Sequence, residues 1–208
     1  MAHTFERLPD KFFLRKDTVK VARDLLGKLL VAPAADGTRV SGIIVETEAY
    51  LGVDDKAAHS YGGRRTARNE ITYAEGGHVY VFFVYGMYYQ LNLVCGPAEH
   101  AHVVLIRALD PVEGIETMRE RRGQMPDKNL TSGPGKLTIA LGIDRSYNGE
   151  HLSGDRIWVE EYKDIKPSDI FAGTRVGIDY AEEFIEMPWR FWVKGNQFVS
   201  RTKKSKNV

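Results

Sequence analysis

The sequence predicts a single domain that contains both β-strands and α-helices. Its 208 residues fit one ordinary domain with a substantial buried core. Stretches rich in branched and aromatic residues recur along the chain, and glycine-containing turns separate them as in β-hairpins. Other stretches combine a capping residue, helical spacing of apolar residues and a closing glycine. No internal repeat or low-complexity linker divides the chain into two domains.

The charge and cysteine content exclude several classes of protein. The formal net charge is +1, so an anionic partner must be met by a local basic patch rather than by the field of the whole molecule. Cys95 is the only cysteine, which excludes an intramolecular disulfide and a cysteine-rich zinc site. His100 and His102 lack further ligands at a recognisable spacing, so no metal site is predicted.

Signals for targeting and for cofactors are also absent from the sequence. The first residues lack the apolar core of a signal peptide, and the longest apolar run is far short of a membrane span. Coenzyme fingerprints and the Gly-x-Ser-x-Gly motif of serine hydrolases do not occur. We therefore expect a soluble, cytoplasmic protein with no cofactor and no membrane partner.

The first elements are predicted to be one helix and one hairpin. The helix should run from Thr18 to Leu26, because Asp17 is a good N-cap and the next glycine is a good stop. Strands follow over residues 28–32 and 38–50, and Asp36-Gly37 between them is a strong hairpin signal.

The second of these strands carries two carboxylates at a spacing that suits catalysis. Strict alternation places Glu46, Glu48 and Tyr50 on one face of the strand. Ile44 should share that face. Paired carboxylates on a rigid strand suit acid/base chemistry, because each charge raises the pKa of the other. The alternative is a half-exposed strand with a solvated acidic face. The pattern alone does not choose between Glu46 and Glu48.

Residues 60–77 are predicted to form a polar, glycine-rich loop with a basic cluster. The arginines of this loop are Arg64, Arg65 and Arg68. Short basic clusters are usually solvated, but arginines beside an acidic site equally suit phosphate binding. Both interpretations stay open from the residues alone.

Residues 78–94 are predicted to form an aromatic hairpin. Two β-rich arms flank Gly86, which supplies the backbone freedom that a tight turn needs. The tip would then carry Tyr85 and Met87. Bulky residues at a tip have little to pack against in their own domain, whereas an aromatic wedge can enter the base stack of a duplex.

A further strand and a helix are predicted over residues 103–121. Arg107 interrupts the apolar strand 103–109, either snorkelling to water or pairing with a buried carboxylate, and we favour the second. The segment Asp110-Pro111-Val112-Glu113 combines an N-cap, a first-turn proline and a glutamate that reaches back, which predicts a helix from Pro111 to Arg121.

Residues 131–142 predict a second helix that opens with a glycine-rich turn. The turn resembles a P-loop only superficially, because the glycine spacing is wrong and Leu137 follows Lys136 where serine or threonine is required. Nucleotide hydrolysis is therefore excluded. Gly135, Lys136 and the free N–H groups of a helix start suit a single phosphate, or serve only as a helix cap.

The last part of the chain is predicted to hold a strand and a closing hairpin. The strand covers residues 156–162, and a connector follows over 163–174. Residues 188–200 read as a hairpin through Gly195-Asn196. Residues 201–208 look like a solvated, flexible basic tail.

Six short motifs occur in a familiar order along the chain. They are Glu-Thr-Glu-Ala-Tyr at 46–50, Ala-Ala-His-Ser at 57–60, Gly-Gly-Arg-Arg-Thr at 62–66, Val-Tyr-Gly-Met-Tyr at 84–88, Ser-Gly-Pro-Gly-Lys-Leu at 132–137 and Arg-Val-Gly at 175–177. Together they closely resemble the alkyladenine (methylpurine, 3-methyladenine) DNA glycosylase family, over about residues 17–200. Composition and periodicity alone do not indicate this function.

The resemblance implies a fold and an activity. The fold is of the α+β class, a single compact domain over residues 1–208 with a curved, largely antiparallel mixed sheet, flanking helices and a protruding DNA-intercalating β-hairpin. The activity is that of a monofunctional, metal-independent, monomeric enzyme of base-excision repair. It excises 3-methyladenine, 7-methylguanine, hypoxanthine and ethenoadenine from double-stranded DNA.

The resemblance also implies roles for the catalytic and intercalating residues. Glu48 corresponds to the general base that activates a water, while Arg107 and the backbone carbonyl of Val176 correspond to the groups that hold this water. Tyr85, supported by Met87, corresponds to the residue that enters the vacated base stack.

The pocket and the DNA backbone contacts are implied in the same way. The base pocket comprises Tyr50, His59, Phe82 and Asn92, and Asn92 corresponds to a residue that excludes certain normal purines. Phosphate contacts are implied for Gly135 and Lys136, with Arg64, Arg65 and Arg68. Phe82 stands where the family pattern has a tyrosine, which retains stacking but removes a hydroxyl.

Two other functions remain open at this point. A non-catalytic nucleic-acid-binding module would use the same hairpin and basic loops, but it would gain nothing from the carboxylate Glu48 in a cleft. A bifunctional glycosylase/lyase would need an amine nucleophile, and no matched position supplies a lysine.

Overall fold

The computed structural model describes residues 5–201, which form an α+β domain around one curved antiparallel sheet. The predicted tail lies outside the described residues from position 202 onward. The strands are β1 Leu29–Val31, β2 Ser41–Leu51, β3 Val79–Val84, β4 Tyr88–Cys95, β5 His102–Glu113, β6 Trp158–Glu160, β7 Ile170–Gly173 and β8 Arg190–Val193. The helices are α1 Asp10–Phe13, α2 Thr18–Asp24, α3 Ile115–Arg121 and α4 Pro134–Leu141.

Strand β2 is the centre of the sheet. The strand order is β3-β4-β5-β2-β1-β6, and β8 pairs with both β2 and β7. One edge of β2 pairs with β5 along its whole length, while the other edge pairs first with β1 and then with β8. Because β8 takes over at residues 46–48, it lies directly beside the two carboxylates.

The main core lies between this sheet and the helices α2 and α4. Helix α2 begins as predicted, with the Asp17 carboxylate accepting from the Lys20 N–H at 2.9 Å. It packs on β2, and the Thr47 hydroxyl donates to the carbonyl of Ala22 at 2.8 Å. Helix α4 packs on β4 and ends at Gly142, whose φ of +72° is the left-handed conformation typical of such a stop.

A β-bulge in β2 changes the predicted alternation of side chains. The pairing passes from Ile44↔Leu109 to Glu46↔Ala108, which leaves Val45 as the extra residue. Ile44 therefore turns into the main core, and the prediction that it shares a face with Glu46 and Glu48 is wrong. The bulge depends on the partner strand, which the local sequence of β2 does not reveal.

The predicted helix start at Asp110-Pro111-Val112-Glu113 is also wrong. These residues extend β5, where Pro111 pairs with Gly42 and Glu113 with Ser41. The Glu113 carboxylate accepts from the Ser41 hydroxyl at 2.6 Å rather than from a helix N–H. Helix α3 begins only after Gly114, whose φ is +68°.

The predicted closing hairpin does not form, and a missed strand replaces it. Strand β8 pairs with β7, which lies in the segment predicted as a connector. After Gly195 the chain turns instead, because the Asn196 side chain donates to Asp110 at 2.9 Å and accepts from the Phe198 N–H at 2.9 Å. Strand β6 is also shorter than predicted.

Within residues 5–201, no helix has both the length and the apolar character needed to cross a membrane.

Candidate active site

Glu48 is fully buried and its carboxylate is held by three different groups. Its Oε1 accepts the N–H of Val176 at 2.8 Å, and its Oε2 accepts the hydroxyl of Tyr50 at 2.8 Å. Nη1 of Arg107 lies 3.3 Å from Oε1. Glu46 is also fully buried, which excludes a solvated acidic face. The orientation of the Glu48 carboxylate is thus fixed by strands β2 and β5 and by the turn after β7.

Glu46 lies on the same side of β2 and shares Arg107 with Glu48, but its other donors differ. Its Oε1 accepts from Nε of Arg107 and from Nε of Arg190, each at 2.8 Å. The backbone N–H of Ser200 reaches Oε2 at 2.6 Å and the Ser200 hydroxyl reaches Oε1 at 2.8 Å. These contacts occupy both oxygens of Glu46.

Burial and the surrounding charges decide the protonation states in this cluster. Burial, then the charge of Glu48 and the hydrogen bond to it, raise the pKa of Tyr50 well above its ordinary value, so the phenol stays a donor. Burial pushes the pKa of Glu46 upward, but Arg107 and Arg190 overcome it and lower that pKa. Burial likewise opposes the charge on Arg107, yet Glu48 and Glu46 raise its pKa.

A buried ion pair fixes the turn that carries Val176. Arg175 donates from Nη1 to Oδ2 of Asp55 at 2.5 Å and from Nη2 to Oδ1 at 2.9 Å. It also donates to the carbonyl of Ala49 at 3.0 Å, and its guanidinium stacks 4.6 Å from the centre of the Tyr50 ring. The pair therefore connects the Val176 turn to the end of β2.

A cavity with aromatic walls opens directly over these groups. The predicted pocket residues Tyr50, His59, Phe82 and Asn92 all line it, together with Tyr80, Tyr85, Arg107 and Val176 among others. Three of the lining groups contact Glu48, which lies just behind the cavity wall. The structure thus brings together the predicted catalytic and pocket residues.

The His59 imidazole is fixed against one wall of the cavity. Its Nδ1 lies 2.9 Å from the Tyr80 hydroxyl, and its ring meets Phe82 edge to face at 4.6 Å. Burial, then the charges of Arg68 and Arg64, lower the pKa of His59 to about 4. His59 therefore presents a neutral ring to the cavity at neutral pH.

The tip of the β3–β4 hairpin exposes two large apolar side chains. Tyr85 is 77 % exposed and Met87 is 66 % exposed. The Met87 N–H donates to the Val84 carbonyl at 3.2 Å, and φ is +55° at Tyr85 and +67° at Gly86, as in a type I′ turn. A left-handed conformation is unfavourable for tyrosine, so this turn holds Tyr85 in a strained position beside the cavity.

The predicted phosphate contacts have different surroundings. Lys136 lies at the start of α4 and donates to the Ser132 hydroxyl at 3.3 Å. Burial, then Arg122 and Arg201, lower the pKa of Lys136, which marks a local cluster of cations. Gly135, in the first turn of α4, packs so closely on Tyr88 that a Cβ there would lie 2.7 Å from the ring.

The three loop arginines do not share one environment either. Arg65 is paired with Glu70 and Glu99, each at 2.7 Å. Arg68 lies over the Phe82 ring at 5.0 Å from its centre. Arg64 is exposed. These contacts leave the predicted phosphate role of the arginines untested, and they favour Arg65 least.

Comparison with known proteins identifies the family. The sequence model of the methylpurine-DNA glycosylases matches residues 11–197. The chain belongs to the methylpurine-DNA glycosylase family. It is accordingly a DNA-repair hydrolase that acts on N-glycosyl bonds in DNA.

Relatives of this methylpurine-DNA glycosylase cover nearly the same length. A protein of Clostridium acetobutylicum is 49 % identical over 200 residues, which cover 92 % of this chain and 97 % of the relative. A Bacillus cereus protein is 49 % identical over 203 residues, covering 91 % and 97 %. A Clostridium novyi protein is 45 % identical over 204 residues, covering 94 % and 99 %. Each carries the provisional name 3-methyladenine DNA glycosylase.

Several residues of this methylpurine-DNA glycosylase site carry no signal in the local sequence. Asp55, Arg190 and Ser200 were not predicted, because each meets its partner across at least 120 positions of chain. Arg175 stood in a motif but without a role. Among residues 5–201, no group of three or more histidine, cysteine or acidic side chains could hold a metal ion.

Proposed function

We propose that this methylpurine-DNA glycosylase removes damaged purines from duplex DNA by hydrolysis with a water activated by Glu48, leaving an abasic site. The substrates are 3-methyladenine, 7-methylguanine, hypoxanthine and ethenoadenine, and the enzyme acts as a monomer. The observation that carries the proposal is the buried Glu48 carboxylate, which accepts two hydrogen bonds and pairs with Arg107 immediately behind a cavity with aromatic walls.

The chemistry needs a carboxylate at this place. Cleavage breaks the bond between the sugar C1′ and the purine nitrogen, and the purine leaves with the electron pair. The sugar becomes cationic, so the negative charge of Glu48 stabilises it, while the carboxylate takes a proton from the water that bonds to C1′. Arg107 and the carbonyl of Val176 hold that water in the proposal. The Val176 N–H that fixes Glu48 supports this arrangement.

The target base must leave the duplex before it can react. In the proposal, Tyr85 fills the vacated stack with support from Met87, and the base enters between Tyr50, His59 and Phe82. Asn92 excludes certain normal purines by a clash with an exocyclic amine. Alkylated and electron-poor purines are also better leaving groups, so selectivity comes partly from the lesion.

Contacts to the DNA backbone complete the proposal. Gly135 and Lys136 at the start of α4, with Arg64, Arg65 and Arg68 in the basic loop, bind phosphates. The α4 contacts are the better supported, because Lys136 stands among other cations whereas Arg65 is already paired with carboxylates. No lysine lines the cavity among the described residues, which supports hydrolysis rather than attack by an amine.

Base release by wild type and Glu48→Gln tests the proposal. We expect single-turnover release in EDTA from duplexes that carry one hypoxanthine, ethenoadenine or 7-methylguanine. Glu48→Gln should abolish release while lesion binding persists, because the amide keeps the shape of the carboxylate but accepts no proton. Equal rates for the two proteins would remove Glu48 as the base. Binding without release from any lesion would point to a non-catalytic module.

A further inference from the structure

We infer that Glu46 is a positioning residue for the glycosylase reaction, which holds Arg107 in the orientation that Glu48 requires and is itself fixed by Ser200 and Arg190. The inference rests on the proposed function of Glu48. Glu46 takes no part in the proposed chemistry, yet it is fully buried in the middle of the site.

The contacts of Arg107 define its orientation. Its Nε donates to Glu46 at 2.8 Å and its Nη2 donates to the Ser200 hydroxyl at 3.1 Å. A guanidinium is planar and rigid, so two such contacts fix the plane of the whole group. The remaining nitrogen, Nη1, then lies 3.3 Å from Glu48 at the cavity wall.

The Glu46 contacts prevent a competing arrangement of the same residues. An arginine beside a carboxylate favours two parallel hydrogen bonds. If Glu46 did not hold Nε, Arg107 would be able to rotate onto Glu48 and pair with it in that way. The carboxylate would then be occupied by the guanidinium and unavailable to the water. Glu46 therefore keeps Arg107 close to Glu48 without letting the two pair fully.

A purely stabilising role explains Glu46 less well. Buried ion pairs add little to stability compared with apolar side chains of similar volume. Two arginines, a serine hydroxyl and a backbone N–H nevertheless all donate to the single carboxylate of Glu46. The β-bulge at Val45 contributes to this arrangement, because it places Glu46 on the same side as Glu48 while Ile44 faces the core.

A double-mutant cycle tests the inference. Single-turnover excision of ethenoadenine from duplex DNA is measured at saturating enzyme for wild type, Glu46→Gln, Arg107→Gln and the double variant. Glu46→Gln should lower the rate constant by roughly 10- to 100-fold, the scale of a small misplacement in an active site, with lesion affinity nearly unchanged. The double variant should be no slower than Arg107→Gln alone, because Glu46 acts through Arg107.

Glu160→Gln is the matched control. Glu160 is a buried carboxylate that accepts from both terminal nitrogens of Arg39 and from the Trp158 ring N–H, and it does not line the cavity. The same chemical change there should lower stability and leave the rate constant unchanged. An equal loss of rate in Glu160→Gln would overturn the inference, because the loss would then be an effect of stability.

Two further outcomes keep the inference separate from the proposed function. Losses that multiply in the double variant would show that Glu46 acts independently of Arg107 and would overturn the inference alone. Full activity of Glu48→Gln would overturn the proposed function. If Glu46→Gln does not fold, Ser200→Ala takes its place. That variant removes the hydroxyl contacts only, so its smaller loss of rate should vanish in the Arg107→Gln background.

Discussion

Two glutamates that stand two positions apart in β2 occupy different electrostatic environments. Glu46 accepts from two arginines, whereas Glu48 accepts from a phenol and a backbone N–H and is approached by one arginine at 3.3 Å. Glu46 is thus committed to holding cations in place. Glu48 accepts its two hydrogen bonds from neutral donors, has a single arginine at a longer distance and lies beside a cavity, which suits proton transfer.

The low pKa of His59 predicts a change of stability with pH. Its pKa in the folded protein is about 4, below the ordinary 6.5, so between these values only the unfolded chain binds the proton. The contribution is complete above about pH 6.5 and is lost as the pH falls toward 4, and solvent screening reduces it because His59 is exposed at the cavity. The unfolding free energy, measured by urea unfolding at each pH from 4 to 7, should depend less on pH in His59→Gln than in wild type. The same pH dependence of the unfolding free energy in both proteins would contradict the lowered pKa of His59.

Breaking the buried ion pair of Arg175 and Asp55 should lower the unfolding free energy more than breaking an exposed ion pair nearby. Asp55→Asn leaves Arg175 buried without its counter-charge, which should cost about 3–5 kcal/mol of unfolding free energy. Arg175→Met in that background should recover much of the loss. The control is Lys56→Met, which removes exposed contacts to Glu182 and Glu183 and should cost less than about 1 kcal/mol. Equal effects of Asp55→Asn and Lys56→Met would contradict this prediction.

The sequence predicts roles for residues that face the cavity or lie just behind it, but none for the residues that hold them. Glu48 and Tyr50 stand in a matched motif on a recognisable strand, and Arg107 interrupts the apolar pattern of another strand. Asp55, Arg190 and Ser200 contact the site only through pairings between distant segments, and no local pattern encodes such a pairing.

At the scale of elements, the wrong predictions share one cause. Capping signals at Asp110-Pro111 favoured a helix, but β2 offered partners that extended β5 to Glu113. The predicted closing hairpin does not form, because β8 pairs with β7 rather than with the residues after Gly195. Local propensity therefore lost to strand pairing. The α2 start and the end of α4 involved no such competition and were predicted correctly.

A variant at the hairpin tip should affect base flipping more than cleavage of the N-glycosidic bond. Tyr85→Ala removes a side chain that is 77 % exposed, so it should not unfold the protein. We expect a weaker flipped complex on duplex DNA and a smaller loss on single-stranded DNA, where the base is already extruded. The measurement is single-turnover release from both substrates. Equal losses would argue against Tyr85 as the wedge.

At the scale of the whole molecule, the nearly neutral charge makes DNA binding depend on few contacts. The net charge is +1, so each phosphate contact should be visible in the salt dependence. Lys136→Gln should reduce the slope of log K against log salt by about 0.9. Arg65→Gln should change it less, because Glu70 and Glu99 already neutralise Arg65. Equal slopes for wild type and Lys136→Gln, measured by fluorescence anisotropy, would remove that phosphate contact.

The hydrogen bonds between Glu46 and Ser200 also affect the order in which the site can form during translation. The two residues are 154 positions apart, and Ser200 follows every described strand and helix. On the ribosome, the aromatic hairpin emerges long before the residues that complete the carboxylate network. A nascent chain thus contains the exposed hairpin tip before the network around Glu46 and the proposed base Glu48 can form. We expect activity to appear only after Ser200 has left the ribosome, so chains that lack this residue would not release bases from DNA.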